Sequence, residues 1–473
     1  MTIAPKTDPL GSVEPLKVAR RVMAGLWGEE RGVMGLVMWR GEFWEWRGER
    51  WRKVSRQAVE DRVRLGLEDS WFVAGDAIKR YGVNSGKVTE VVDAIEALAR
   101  KPLEGREDLP VWMGPGECPF DRDRTVAFED VLVEVSGEGR VMERGREWFD
   151  GVVLPGKGVG EAEGCPRWMK ALRQWSKGDE KWMGLAKRMV GMWLMAGRHH
   201  HRWGLVFGPA GTGKTTFVKV LEWLVGRDAY LSTDVASIAG GFGLDGMQGA
   251  RLVGIKEVTD LEGKQGDAAA GVMKRLMGED EVTINAKFER PEKNVKVRAG
   301  VLMVSNTMPR LPNRGLGLSQ KMLVLPFTEV FRGEDGEELG LEEALKGELE
   351  GIARWALEGA REIEREGPKT RWPVPEEAGE VARNFVLQNN PADAFLEARC
   401  FRKEGGFVTT ELLWREWEEW RRVNQVEMRV ARNRLAMFLV EEGTWKLRRH
   451  RKEGAGGRGL VGLGLRQEAD DRL

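Results

Sequence analysis

The chain has 473 residues, which sets a prior of two to four domains at roughly 150 residues each. Hydrophobic side chains make up 41% of it, which excludes a disordered composition, and no apolar run approaches the ~20 residues that a membrane-crossing helix needs. Its 75 basic and 75 acidic residues cancel, so a uniformly basic nucleic-acid coat is excluded and any contact with a polyanion must be local.

The first 16 residues read as a loose tail without the charged start and apolar core of a signal peptide. Amphipathic helical stretches follow to about Asp108, interrupted at Val33–Trp51, where alternation around Gly41 and Gly48 predicts short strands joined by turns. Val83–Arg100 carries the 3.6-residue apolar spacing of a helix, and Val126–Val135 reads as one strand. Residues 154–166 (LPGKGVGEAEGCP) read as a linker, and two helices are expected at Pro166–Trp175 and Glu180–Met195. Residues 203–331 have α/β character, with strands expected at Trp203–Phe207, Leu252–Ile255, Gly300–Val304 and Met322–Leu325. Residues 337–366 are helix-rich, and after Pro373 and Pro375 a last segment of about 90 residues holds several helices and a basic, Gly-rich end. Cys118, Cys165 and Cys400 have no paired spacing, which points to a reducing compartment rather than a disulfide framework or zinc site. Twenty tryptophans beside two tyrosines carry no functional reading.

The strongest motif is Gly208-Pro209-Ala210-Gly211-Thr212-Gly213-Lys214-Thr215-Thr216, a full Walker A pattern between a predicted strand (GLVF) and a predicted helix (TTFVKVLEWLVG). Glycines let backbone N–H groups turn towards phosphates, and the helix N-terminus adds positive potential. The expected ligand is ATP, with Lys214 on its β- and γ-phosphates and Thr215 on Mg²⁺. Such a site needs a carboxylate. The strand Arg251–Lys256 leads into Glu257, which can orient Mg²⁺ or polarise water, and Asp260 is a second candidate. A third strand, GVLMVSN, ends in Asn306, which can hydrogen-bond a γ-phosphate or the attacking water, or simply form a turn before Met308-Pro309.

In order and spacing these motifs resemble the superfamily 3 helicases, an AAA+-type group encoded mostly by viruses, phages and plasmids. RLVGIKE is similar to the Walker B strand of that family, with Glu257 as its acidic residue, and VLMVSNTMPRLP to its sensor-1 motif, with Asn306. Between them, Met273–Asp280, Val282–Ile284 and Ala286–Phe288 resemble the family's hairpin, in which a Lys and an adjacent ring meet DNA in a central channel. The resemblance places Lys287 and Phe288 there; an ammonium on phosphate and a ring on sugar or base is sensible chemistry. Flanking stretches resemble phage and plasmid primase-helicases: CPRWMKALRQW, DEKWMGLAKRMVGMWL, residues 327–362, NPADAFLEARC and LLWREWEEWRRVNQ, the last two as the start of a winged-helix domain.

The family's trans-acting arginine precedes a strand ending in Pro-Phe. Here that position is Lys321, with Arg310, Arg314 and Arg298 as alternatives. Asp121 and Asp123 lack the further residues of a primase site, and His199–His201 lack metal-binding partners, so priming is expected from a separate primase or polymerase. Lys446–Arg458 (KLRRHRKEGAGGR) has six basic residues and one Glu, a net charge of about +5. With Arg429, Arg432 and Arg434 it can bind phosphate without reading sequence, or be a solvated tail.

The fold expected is an α/β P-loop NTPase core of AAA+ type, with a mostly helical N-terminal region and a C-terminal winged-helix-like domain. Its divisions are 1–155 (α+β), 156–200 (helical collar or linker), 201–335 (helicase core), 336–375 (helical extension) and 376–473 (winged-helix-like, with a basic tail). The resemblance implies an ATP-driven DNA helicase, a homo-hexameric ring moving 3′ to 5′ on single-stranded DNA, without a membrane partner, in the cytoplasm of a bacterial host. The alternative is an ATP-switched replication initiator or loader.

Overall fold

The structure, a computed structural model, describes residues 10–466 apart from 75, 106–107, 138, 161–163, 198–201, 240–246, 248, 257–270, 274, 277–281, 285–291, 296, 310–318, 332–339, 368–369, 427, 442 and 452–456. Its centre is a five-stranded sheet of β1 (Trp203–Phe207), β2 (Tyr230–Asp234), β3 (Leu252–Lys256), β4 (Gly300–Ser305) and β5 (Met322–Pro326). The order is β2-β3-β4-β1-β5 and every pair is parallel. Apart from the edge strand β2, whose last three residues are polar, these strands read as nearly continuous apolar runs because both faces are covered.

Alternate side chains go to opposite faces. Val206, Leu252, Leu302, Leu323 and Leu325 pack with helices α1 (Pro166–Trp175), α2 (Glu180–Leu194), α3 (Lys214–Val225) and α4 (Leu349–Glu366). Leu205, Val253, Ile255, Val301, Met303 and Val324 pack on the other face, against Val235, Ile238 and Met273, and against Ala378 and Phe385 of α5 (Glu376–Asn389). The sheet is therefore closed by helices from outside 201–335. Trp193 of α2 lies over two strands at once, at Gly204 of β1 and Gly300 of β4. A buried ion pair, Arg251–Asp150 at 2.8 Å, joins the start of β3 to the N-terminal region.

The connection from β1 through α3 carries the chain past two strand positions to β2 at the edge. The chain then steps back through β3 and β4, and β5 crosses to the far side of β1. The strand order thus reverses beside β1. In open α/β sheets the crevice at the carboxyl ends of strands flanking such a reversal is where ligands bind.

The N-terminal region is not mostly helical. Among the described residues up to 155 it has three α-helices (Pro15–Leu26, Arg56–Leu67, Ser85–Arg100) and twelve short strands. The helices and the antiparallel sheet Leu36–Trp39, Glu42–Trp46, Trp51–Val54 share one core. The single strand expected at 126–135 is two, Thr125–Ala127 and Val131–Glu134, paired antiparallel. The break falls at Glu129-Asp130, where Asp130 accepts from the Gly158 N–H at 2.9 Å and the chain turns.

The C-terminal segment runs α6 (Pro391–Arg399), β6 (Cys400–Thr409), α7 (Thr410–Val423), α8 (Arg432–Glu441), β7 (Arg448–Arg451) and β8 (Arg458–Leu465). Its antiparallel sheet has the order β6-β8-β7 around its own core, with Phe395, Trp417, Leu435 and Leu460 at the centre. Of the basic end, Arg448–Arg451 form β7 and Arg458 opens β8, and the two strands pair antiparallel. Buried Asp393 anchors the segment by accepting from the Thr444 N–H at 2.6 Å and Thr444 Oγ1 at 3.1 Å. No described helix is long and apolar enough to cross a membrane.

Candidate functional site

The glycine-rich loop leaves the carboxyl end of β1, the strand beside the reversal, and enters α3 at Lys214. Two glycines are obligatory for its path. Gly208 has φ +148° and its α-carbon lies against the Phe327 carbonyl, so a Cβ there would stand 1.8 Å from that oxygen. Gly213 has φ +92° and caps α3; its Cβ would stand 2.3 Å from Nε1 of Trp175. A side chain at either position would have to displace backbone or a packed ring.

Lys214 is only 6% exposed although it opens a helix. Its ammonium donates to the Gly208 carbonyl at 2.6 Å, to the Pro209 carbonyl, and to Thr212 Oγ1 at 3.3 Å. Thr212 Oγ1 donates in turn to the Pro209 carbonyl at 3.0 Å. The loop therefore curls around its own lysine. Removal from water holds the Lys214 pKa below its ordinary value. Thr215, one residue further, is exposed at the first turn of α3, and Thr216 is half-buried. This cradle suits a polyphosphate: glycines set the curve, a cation stands inside it, and a twelve-residue helix starts beneath it. A hydroxyl at Thr215 is a suitable Mg²⁺ ligand.

The strand register brings Asn306 to the same edge. Phe207 pairs with Ser305, and the Gly208 N–H donates to the Ser305 carbonyl at 3.3 Å. Asn306 follows immediately and is exposed. Lys256, the last residue of β3, ends at this edge too, whereas Glu257 and Asp260 lie outside the described residues.

Lys321 is elsewhere. It precedes β5, and its carbonyl accepts from the Trp203 N–H at 3.1 Å, at the amino end of β1. A five-residue strand of roughly 16 Å separates it from the loop, so it does not reach its own chain's cradle along that path. Arg298 lies at the same amino end, held by Asp123 at 2.5 Å and Asp108 at 4.0 Å. That pairing also accounts for Asp123, while Asp121 accepts from the Asp123 N–H at 3.1 Å and caps a short turn. Arg310, Arg314, Lys287, Phe288 and His199–His201 lie outside the described residues; strands Val282–Ile284 and Glu292–Val295, on either side of Lys287, pair antiparallel.

Sequence reasoning missed the ring that supports the cradle. Trp175 ends α1, packs against Phe217 of α3 and Phe327 after β5, and abuts Gly213. Trp168, two turns up the same helix face, stacks on Phe217 at 5.9 Å. Trp182 donates its indole N–H to the Pro326 carbonyl at 2.6 Å. The seven-residue spacing of Trp168 and Trp175 was a visible signal of one helix face, but not of what that face touches.

Residues 206–317 match a protein family described as a family of unknown function (DUF5906). No curated protein matches the chain. Among solved structures, the A-form apo structure of the NrS-1 C-terminal region (305–718) is 10% identical with a TM-score of 0.51, covering 95% of this chain and 100% of that one. An apo structure of the same region is 12% identical with a TM-score of 0.47, covering 95% of this chain and 99% of that one. At such identity the likeness to the first is one of fold, and it extends over nearly the whole chain.

Proposed function

We propose that this chain is an ATP-driven DNA motor of the superfamily 3 helicase kind, acting in replication. The observation that carries the reading is Lys214, buried inside a glycine-rich loop at the carboxyl end of β1, beside the reversal of a parallel sheet. Lys214 leaves its loop carbonyls for the phosphates of bound ATP, and Thr215 with Glu257 holds Mg²⁺, which neutralises charge on the transferred phosphoryl group. Asn306, at the same edge, orients the attacking water. Lys321, at the far end of β5, serves the site of a neighbouring subunit, so the working form is a ring, a hexamer by resemblance. Lys287 and Phe288 grip single-stranded DNA in its channel, and a separate primase or polymerase supplies the primer.

The test is hydrolysis of ATP with and without DNA, together with unwinding of a labelled forked duplex. Wild type should do both, Lys214→Ala neither, and Lys287→Ala should hydrolyse ATP without separating strands. DNA-stimulated hydrolysis that never separates strands would replace the motor with an initiator or loader.

A further inference from the structure

Away from the cradle, the C-terminal segment holds a cleft of about 670 Å³ between α8 and the β7–β8 hairpin. Arg432, Ala436 and Met437 line it from one face of α8, Arg449 and Arg451 from β7, and Arg458 from β8. Among the described residues no acidic side chain lines it. Arg449 stands opposite Leu460 and Arg451 opposite Arg458, so the three arginines share the sheet face that buries Leu460 in the core. Where this face runs past the core, apolar residues give way to guanidinium groups, and the cleft opens there.

The arrangement is costly for the chain alone. Like charges directly opposite each other on an antiparallel ladder repel, and Arg451 and Arg458 are such a pair. Among the described residues no carboxylate pairs with Arg449, Arg451 or Arg458. Arg432 has one, Glu411 at 3.1 Å, with both side chains more than half exposed, a contact that water and salt weaken. A net-neutral protein has thus gathered four arginines around one concavity.

We propose that this cleft binds the sugar-phosphate backbone of single-stranded DNA. Guanidinium groups facing each other across a gap fit a chain of phosphodiesters, and Ala436 and Met437 give the sugars an apolar floor. The concave shape favours a single strand. A duplex is read by an element that protrudes into a groove about 12 Å wide, whereas these exposed arginines line a concavity of the protein. Among the described residues the one ring at the cleft is the His450 imidazole, which sits edge-on to Phe407, 6.2 Å away. Binding therefore follows the backbone and is indifferent to sequence. The phosphodiester chemistry comes from the cleft itself, and the choice of DNA over RNA rests on the proposed function.

The experiment is nucleotide-free anisotropy titration of a labelled oligo-dT, with duplex DNA and oligo-U of equal length alongside. The full chain carries Lys287→Ala to silence the proposed channel contact. Adding Arg449→Ala, Arg451→Ala and Arg458→Ala should weaken oligo-dT binding at least about tenfold and flatten the slope of log affinity against log salt by about two. The three Arg→Lys changes should keep binding within about threefold, because charge rather than fork geometry does the work. Thermal melting monitors the fold of each variant. Oligo-dT binding unchanged in the alanine variant, tighter binding of duplex or oligo-U than of oligo-dT, or equal loss in the lysine variant overturns the proposal. No ATP enters the assay, so it reads the cleft whether or not the chain proves to be a motor.

Discussion

The indole of Trp175 stands where a side chain at Gly213 would go: Nε1 is 2.3 Å from the position of a Gly213 Cβ. The loop that curls around Lys214 is thereby shaped from below by α1, a helix outside the central sheet's own stretch of sequence. Gly213→Ala should lower the melting temperature and weaken ATP binding at least about tenfold. The left-handed backbone alone costs about 1–2 kcal/mol for a residue with a Cβ. If the clash with Trp175 carries the rest, Trp175→Phe combined with Gly213→Ala loses less than the sum of the single changes. Additive losses would mean that backbone strain alone is responsible.

Lys214 should be a liability in the nucleotide-free chain. Burial lowers its pKa from the ordinary 10.5, so the native state binds fewer protons than the unfolded state in the alkaline window below that value. The site's contribution to stability therefore rises with pH through that window and levels off once the unfolded lysine is neutral as well. Lys214→Met, which keeps the stem and removes the charge, should melt higher than wild type near neutral pH, with the gap closing as pH approaches 10.5. ATP should no longer raise its melting temperature. A lower melting temperature for the variant would show that the three hydrogen bonds to the loop outweigh desolvation.

Arg251 and Asp150 are 5% and 4% exposed and tie β3 to the N-terminal region, with Arg251 also donating to the Leu194 carbonyl at 2.7 Å. Removing one partner leaves the other charge buried and alone. Asp150→Ala or Arg251→Met should destabilise the chain by about 3–5 kcal/mol, and the double variant should recover part of that. Denaturant unfolding of the four proteins gives the coupling directly. Two small, additive effects would mean that water reaches the pair.

How much of this was legible depends on whether a feature is local. The path β1–loop–α3 was readable because strand, glycines and helix follow one another within 23 residues. The runs at β3, β4 and β5 were readable because strands covered on both faces have no polar alternation to obscure them. The hairpin at 125–134 was hidden because its turn residues, Glu129 and Asp130, are ordinary surface carboxylates until Gly158 arrives from far along the chain. Trp175 reads in sequence only as the last residue of the helix expected at Pro166–Trp175. The Arg449, Arg451 and Arg458 cluster reads in sequence as either a phosphate-binding patch or a solvated tail, because Arg and Gly dominate it; its strand register appears only once β8 pairs with β6 and β7. Arg298 reads in sequence as an alternative for the trans-acting position, because the carboxylates that hold it, Asp123 and Asp108, are far away along the chain.

Lys321 and Arg298 occupy the same end of the sheet but should fail differently. Arg298 is held by Asp123 and Asp108 in its own chain, so Arg298→Ala should lower stability and leave turnover per folded molecule nearly intact. Lys321 sits at the amino end of β5, a strand's length from its own cradle, so Lys321→Ala should keep ATP binding and lose turnover by ~10³-fold, the scale of a cationic finger. Complementation separates a trans role from a structural one. Lys321→Ala chains have an intact Lys214, and Lys214→Ala chains have an intact Lys321. Mixing the two inactive variants should therefore restore part of the turnover, at interfaces where each supplies what the other lacks. Mixtures as inactive as their components, although shown to co-assemble, would move the finger to Arg310 or Arg314.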